Sequence, residues 1–163
     1  LIMFINEILM EATASKAGFL PYTYDEQGTP IFMFCKSSDA EFGGDQFMVS
    51  KGHVAQGETP QQAAMREGQE DLGLVASNVI PATVKLGWSG NITGLKATYV
   101  MEIYIGQVKD PANFGKFHYE TAETKWMTIV DFMKVGRASH KQIAQACAAK
   151  VPKATSASYN RTQ

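Results

Sequence analysis

The sequence predicts an α/β domain in which a largely antiparallel or mixed sheet carries helices. Three observations lead there: short β-forming runs are punctuated by turn signals, a capped helix opens at Thr59, and a second helical periodicity follows Ser139. A chain of 163 residues with 45% hydrophobic and 19% charged residues suits one compact domain and is incompatible with wholesale disorder.

The first five residues, Leu1-Ile2-Met3-Phe4-Ile5, are cut by Asn6 and Glu7, too short for a membrane span or a secretory h-region. Met3 is the expected native start. β-type runs follow over residues 17–24, 30–35, 47–50, 82–88, 97–108 and 125–130. Asp25-Glu26-Gln27-Gly28 reads as a hairpin turn, Phe42-Gly43-Gly44-Asp45 as a loop, and Ser89-Gly90-Asn91 with Thr93-Gly94 as another hairpin connection. For the first helix, Thr59 is the N-cap, Pro60 fills the first position where its missing N–H costs nothing, Gln62 completes a capping box, and Gly73 stops it. For the second, Ser139 and Gln142 predict a similar box, with Ile143, Cys147 and Val151 at helical spacing against the sheet. The domain is expected over 1–151, and 152–163 reads as a flexible tail.

The net charge of -1 argues against a generally basic nucleic-acid binder, so long nucleic acid is not an expected partner. Cys35 and Cys147 are too few for a disulfide scaffold, which predicts a reducing, cytoplasmic setting. Three histidines without a zinc-type spacing leave oxygen ligands as the route to a metal, favouring Mg2+ with Mn2+ as the alternative.

Carboxylates crowd one stretch. At about 100° per residue, Glu67, Glu70 and Asp71 project from one side of the first helix, and Glu58 sits just before it. Like charges so spaced cost roughly 0.2–0.5 kcal/mol per pair, a cost that a divalent cation would reverse. Such a cluster suits phosphate-ester or pyrophosphate chemistry. Arg66 is expected to orient a carboxylate by a bidentate pair.

Gly52, Glu58, Arg66, Glu67, Glu70, Gly73 and Leu74 stand at the spacing of the Nudix box, and the chain resembles a Nudix hydrolase over these twenty-three residues. Gly68 replaces the family's bulky aliphatic residue, and Asp71 replaces the last Glu of its pair. The resemblance implies the Nudix fold, a mixed β-sheet sandwiched between α-helices. It further implies Glu70 as principal metal ligand, Glu67 as ligand or general base, Asp71 and Glu58 as supporting carboxylates, and Arg66 as the residue orienting Glu67. Lys51 would offer its backbone carbonyl to metal, and Gly52, Glu58 and Lys51 would face substrate. A carboxylate from a later loop completes the family set; Glu120 is the first choice and Glu123 the second.

The implied activity is Mg2+-dependent hydrolysis of a diphosphate linkage in a nucleoside diphosphate derivative. Lys51-Gly52-His53-Val54 and the spacing from Glu120 to Trp126 resemble the diadenosine polyphosphate hydrolase branch. Nucleoside triphosphates, nucleotide sugars, ADP-ribose and RNA 5′ ends are the alternative substrates, and a non-catalytic nucleotide-binding module is the alternative class. Tyr22, Phe42, Trp88, Phe114, Phe117 and Tyr119 are candidates for stacking on a base. Core packing outweighs stacking for Trp88 and Trp126, and His53 is expected as a structural loop histidine.

Overall fold

Residues 17–24 alternate two apolar sets, and that alternation builds the centre of the fold. In the computed structural model, which describes residues 14–39, 41 and 44–155, they belong to β1 (Lys16–Tyr24). Ala17 and Phe19 join one core cluster while Leu20, Tyr22 and Tyr24 join another. A strand apolar on both faces needs cover on both sides, so β1 lies inside the sheet with helices above and below.

One edge of β1 pairs in parallel with β6 (Thr98–Gln107). The other edge is shared: β2 (Pro30–Ser37) pairs antiparallel with its C-terminal half, and β4 (Ser50–His53) with its N-terminal half. Beyond these, β3 (Phe47–Met48) and β7 (Thr121–Met127) pair with β2, and β5 (Lys85–Thr93) pairs with β6. With one parallel pairing among antiparallel ones, the sheet is mixed, as the sequence predicts.

On one face lies α1 (Pro60–Leu72), with both bonds of the predicted capping box made and Gly73 at φ 74° closing its end. Ala63 and Ala64 bury against Ala17 and Phe19. Gly68 is buried there too, and a Cβ would meet Leu74 Cδ2 at 2.9 Å and Phe19 Cβ at 3.5 Å. Leu74, whose N–H donates to the Gly68 carbonyl, thus fills the space that an aliphatic side chain at 68 would occupy. On the opposite face, α2 (Ile129–Val135) stacks Phe132 on Phe34 with ring centroids 3.8 Å apart, and α3 (Ala138–Ala149) buries Ile143, Ala144 and Cys147.

Several expected boundaries move. The 125–130 run ends as strand at Met127, because Thr128 accepts a bond from the Asp131 N–H and starts a helix that β-branched Ile129 and Val130 disguise. The 82–88 run starts late, since Pro81–Thr83 is a 3₁₀ turn. Ser89-Gly90-Asn91 stays within β5, and the chain reverses at Gly94, whose N–H reaches the Ala97 carbonyl. The 47–50 run divides at Val49, whose N–H leaves the ladder for His140 Nδ1. The last helix begins after Arg137 without a side-chain cap, so the Ser139–Gln142 box does not form. Met3, Phe42 and most of the expected tail lie outside the described residues; of the tail's first part, Pro152 accepts a hydrogen bond from the Tyr24 hydroxyl. Among the described residues no helix is long and apolar enough to cross a membrane.

Candidate active site

The helix start brings Glu58, Arg66 and Glu67 into one network. Arg66 donates from Nε and Nη2 to Glu58 Oε2 and Oε1 at 2.9 and 3.1 Å, and from Nη1 to Glu67 Oε1 at 3.0 Å and Glu70 Oε1 at 3.4 Å. Its Nη2 also reaches the His53 carbonyl at 2.9 Å, while Glu58 Oε1 accepts from the Ala55 N–H at 3.0 Å. The bidentate partner of Arg66 is therefore Glu58, with Glu67 held by one bond. Glu58 is engaged by Arg66 and the Ala55 N–H, and its carboxyl is held below the ordinary range by the Arg66 bonds first and the Ala55 N–H second.

Gly52 explains why Glu67 can stand where it does. A Cβ at Gly52 would collide with the Glu67 carboxylate, so only a hydrogen fits between strand and helix here. Burial raises the Glu67 pKa, the Arg66 bond opposes this, and the charges of Glu70 and Glu120 push the same way as burial.

Asp71 departs from the expected convergence. It accepts from Ser50 Oγ at 3.0 Å at its Oδ2, and burial, then the charge of Glu67, push its pKa up to about 7. As placed, no group of three or more His, Cys, Asp or Glu side chains among the described residues could hold a metal ion by itself. The donor chemistry nevertheless suits a hard divalent cation. Glu67 and Glu70 already share one positive group, the Arg66 guanidinium, and Gly52 keeps open the space that Glu67 fills.

Beside this network opens a cavity of about 530 Å³, where β2 and β4 part after sharing the edge of β1. Asp71 lines it from α1, Gly52 and Lys51 from β4, and Glu120 and Tyr119 from the loop before β7. That loop is docked on the last turn of α1, where carbonyls lack helical partners. Gly115 N–H donates to the Gly73 carbonyl at 2.7 Å, His118 N–H to Glu70 O at 2.6 Å, and Thr121 Oγ1 to Asp71 O at 2.9 Å. A Cβ at Gly73 would collide with the Gly115 carbonyl, so this glycine serves both the left-handed cap and the docking. Glu120 thereby reaches the cavity, whereas Glu123 pairs with Lys36 at 3.6 Å on the surface.

Of the stacking candidates, Tyr119 lines the cavity. Tyr22 is buried in the core, Trp88 packs against it, Phe114 meets Trp126 edge-on, and exposed Phe117 does not line the cavity. Sequence reasoning missed Lys16, Arg137 and Thr121, which line the cavity from three separate elements, and His140 behind it. His140 is fully buried, its Nδ1 accepts from the Val49 N–H at 3.0 Å, and burial, then the charges of Lys51, Arg137 and Lys16, lower its pKa to about 3. No local pattern marks these residues.

A NUDIX domain model matches residues 15–147. The chain belongs to the NUDIX domain family, and its enzyme class is that of the Nudix pyrophosphohydrolases. Its fold is similar to that of a C. elegans Ap4A hydrolase binary complex, with TM-score 0.68 and 18% identity, covering 84% of this chain and 96% of that one. It is also similar to the NUDIX domain of Shewanella oneidensis NrtR complexed with ADP ribose, with TM-score 0.68 and 12% identity over 93% of this chain and 98% of that one. The E. coli dihydroneopterin triphosphate pyrophosphohydrolase aligns with TM-score 0.60 and 18% identity over 80% of this chain and 92% of that one. At these identities the likeness is one of fold. A search of the curated proteins by sequence finds no match.

Proposed function

We propose that this chain hydrolyses a diphosphate linkage in a nucleotide in a Mg2+-dependent reaction, with a diadenosine polyphosphate as the first candidate substrate. One observation carries the reading: a partly buried glutamate, Glu67, is gripped by Arg66, shares its electrostatic field with Glu70 and Glu120, and packs against Gly52, which lines a cavity large enough for a phosphate chain. The Lys51-Gly52-His53-Val54 run and the fold likeness to an Ap4A hydrolase support the substrate choice.

Glu70, Glu67, Asp71, Glu120 and the Lys51 carbonyl are the groups that would hold the metal. Bound there, Mg2+ supplies charge neutralisation of the phosphoryl oxygens and a lowered pKa for the attacking water. Arg66 fixes Glu67 Oε1, and Oε2 receives no hydrogen bond among the described residues, so it is left to accept a proton from water. The raised pKa of Glu67 makes it a better base than an exposed carboxylate, and Glu120 is the alternative acceptor across the cavity.

The Asp71 bond to Ser50 favours a second reading, a nucleotide-binding module without turnover. Release of phosphate and nucleotides from diadenosine polyphosphates, ADP-ribose, nucleotide sugars and nucleoside triphosphates, with Mg2+, Mn2+ and EDTA, separates the two. Cleavage of one class that EDTA abolishes is the expected result. Binding without cleavage across the panel would overturn it in favour of the module.

A further inference from the structure

Three cations line the cavity as well. Lys16 comes from the first residue of β1, Lys51 from β4 and Arg137 from the cap of α3, and all three line the same space. None makes a salt bridge with a described carboxylate, in contrast to Lys36, which also lines the cavity and pairs with Glu123. Lys16 rests its ammonium over the Tyr99 ring at 4.2 Å, which leaves the charge available to an anion. The buried ring of His140 lies within the field of all three, held by the Val49 N–H, and it supplies no counter-charge. Asp71 is the carboxylate whose charge acts on Lys51, and it accepts a hydrogen bond from Ser50.

Asp39, Asp71 and Glu120 line the same cavity, but none forms an ion pair with these cations among the described residues, so the three cations repel one another and an entering anion lowers that cost. The anion must carry several charges and be compact enough to meet groups on three elements, which describes a phosphate group. We infer that Lys16, Lys51 and Arg137 form a seat for phosphates lying beyond the hydrolysed diphosphate, and that the substrate class is therefore nucleotides with three or more linked phosphates. This rests on the proposed reaction for which phosphates are cleaved, but the seat itself needs no metal.

The test is calorimetric binding of inorganic tripolyphosphate and of pyrophosphate to the full chain in EDTA, alongside turnover of diadenosine tetraphosphate and ADP-ribose. Tripolyphosphate should bind more tightly than pyrophosphate. Arg137→Gln and Lys16→Gln should each weaken tripolyphosphate binding by about tenfold or more, the usual weight of a charge-assisted contact. Both should raise KM for diadenosine tetraphosphate with little change for ADP-ribose, and Arg137→Lys should recover part of the binding. Arg137→Lys keeps the charge, so its recovery distinguishes lost attraction from lost folding. Equal binding of the two anions, unaltered binding in both Gln variants, or KM raised equally for both substrates would overturn the seat. Failure of turnover with selective tripolyphosphate binding intact would instead overturn the hydrolytic reading alone.

Discussion

The acidic network on α1 and the basic cluster lining the neighbouring cavity handle charge in opposite ways. In the acidic network beside the cavity, Glu58, Glu67 and Glu70 share a single guanidinium, and all four residues come from a thirteen-residue stretch around α1. In the cavity lining, Lys16, Lys51 and Arg137 come from three distant parts of the chain and pair with no carboxylate among the described residues. A locally satisfied network can be assembled by one helix; an unsatisfied one requires the sheet to bring its members together and an outside anion to complete it. The difference assigns preorganisation to the acidic network and substrate charge to the basic cluster.

The strongest way to break this contrast is at Glu67. Glu67→Gln removes the proton acceptor and should lower kcat by roughly 10²–10⁴-fold while the fold persists, as far-ultraviolet dichroism would verify. Retention of most activity would move the base to Glu120. Arg66→Met comes next, because it releases Glu58, Glu67, Glu70 and the His53 carbonyl together. We expect a loss of about 1–3 kcal/mol in urea unfolding, with kcat falling more than KM rises.

Titration sharpens the comparison. Asp71 has a native pKa of about 7 against an ordinary 3.8, so it contributes stability below about 4 that is lost as pH rises through 7. His140 runs the other way: its native pKa of about 3 against 6.5 gives stability above 6.5 that is lost as pH falls toward 3. In EDTA, Asp71→Asn should remove the decline in thermal midpoint toward pH 7 and leave the loss on the acid side. An unchanged profile would mean that Asp71 ionises freely in the folded protein.

Smaller effects test the docking of the loop and the packing of the helix. Thr121→Val removes the hydroxyl that holds the Asp71 carbonyl and should cost about 1 kcal/mol, with a modest fall in kcat as Glu120 loses its anchor. Gly68→Ala should be nearly neutral: about 1 kcal/mol of helix propensity is gained, and the contact with Leu74 Cδ2, a flexible side-chain end, takes some of it back. A large loss there would show that Leu74 cannot give way.

The sequence alone determined the parts that depend on neighbours along the chain. Thr59, Pro60, Gln62 and Gly73 specify α1, since caps and turn conformations are set within one turn of helix, and the same spacing places Glu67 and Glu70 close enough to share Arg66. Helical spacing could not foresee that Asp71 turns to Ser50, that Arg66 takes Glu58 as its bidentate partner, or that Ile129 and Val130 begin a helix. The first depends on Ser50 of β4, whereas the Glu58 pair and the Thr128 cap are local features that apolar periodicity does not carry. The basic cluster is the limiting case. Residues 16, 51 and 137 share no local pattern, and they meet because β1 carries β4 on one edge while Arg137 N–H bonds the Phe47 carbonyl, joining the start of α3 to the sheet. Charge brought together over long sequence separations is set by strand pairing and burial, which only the tertiary structure decides.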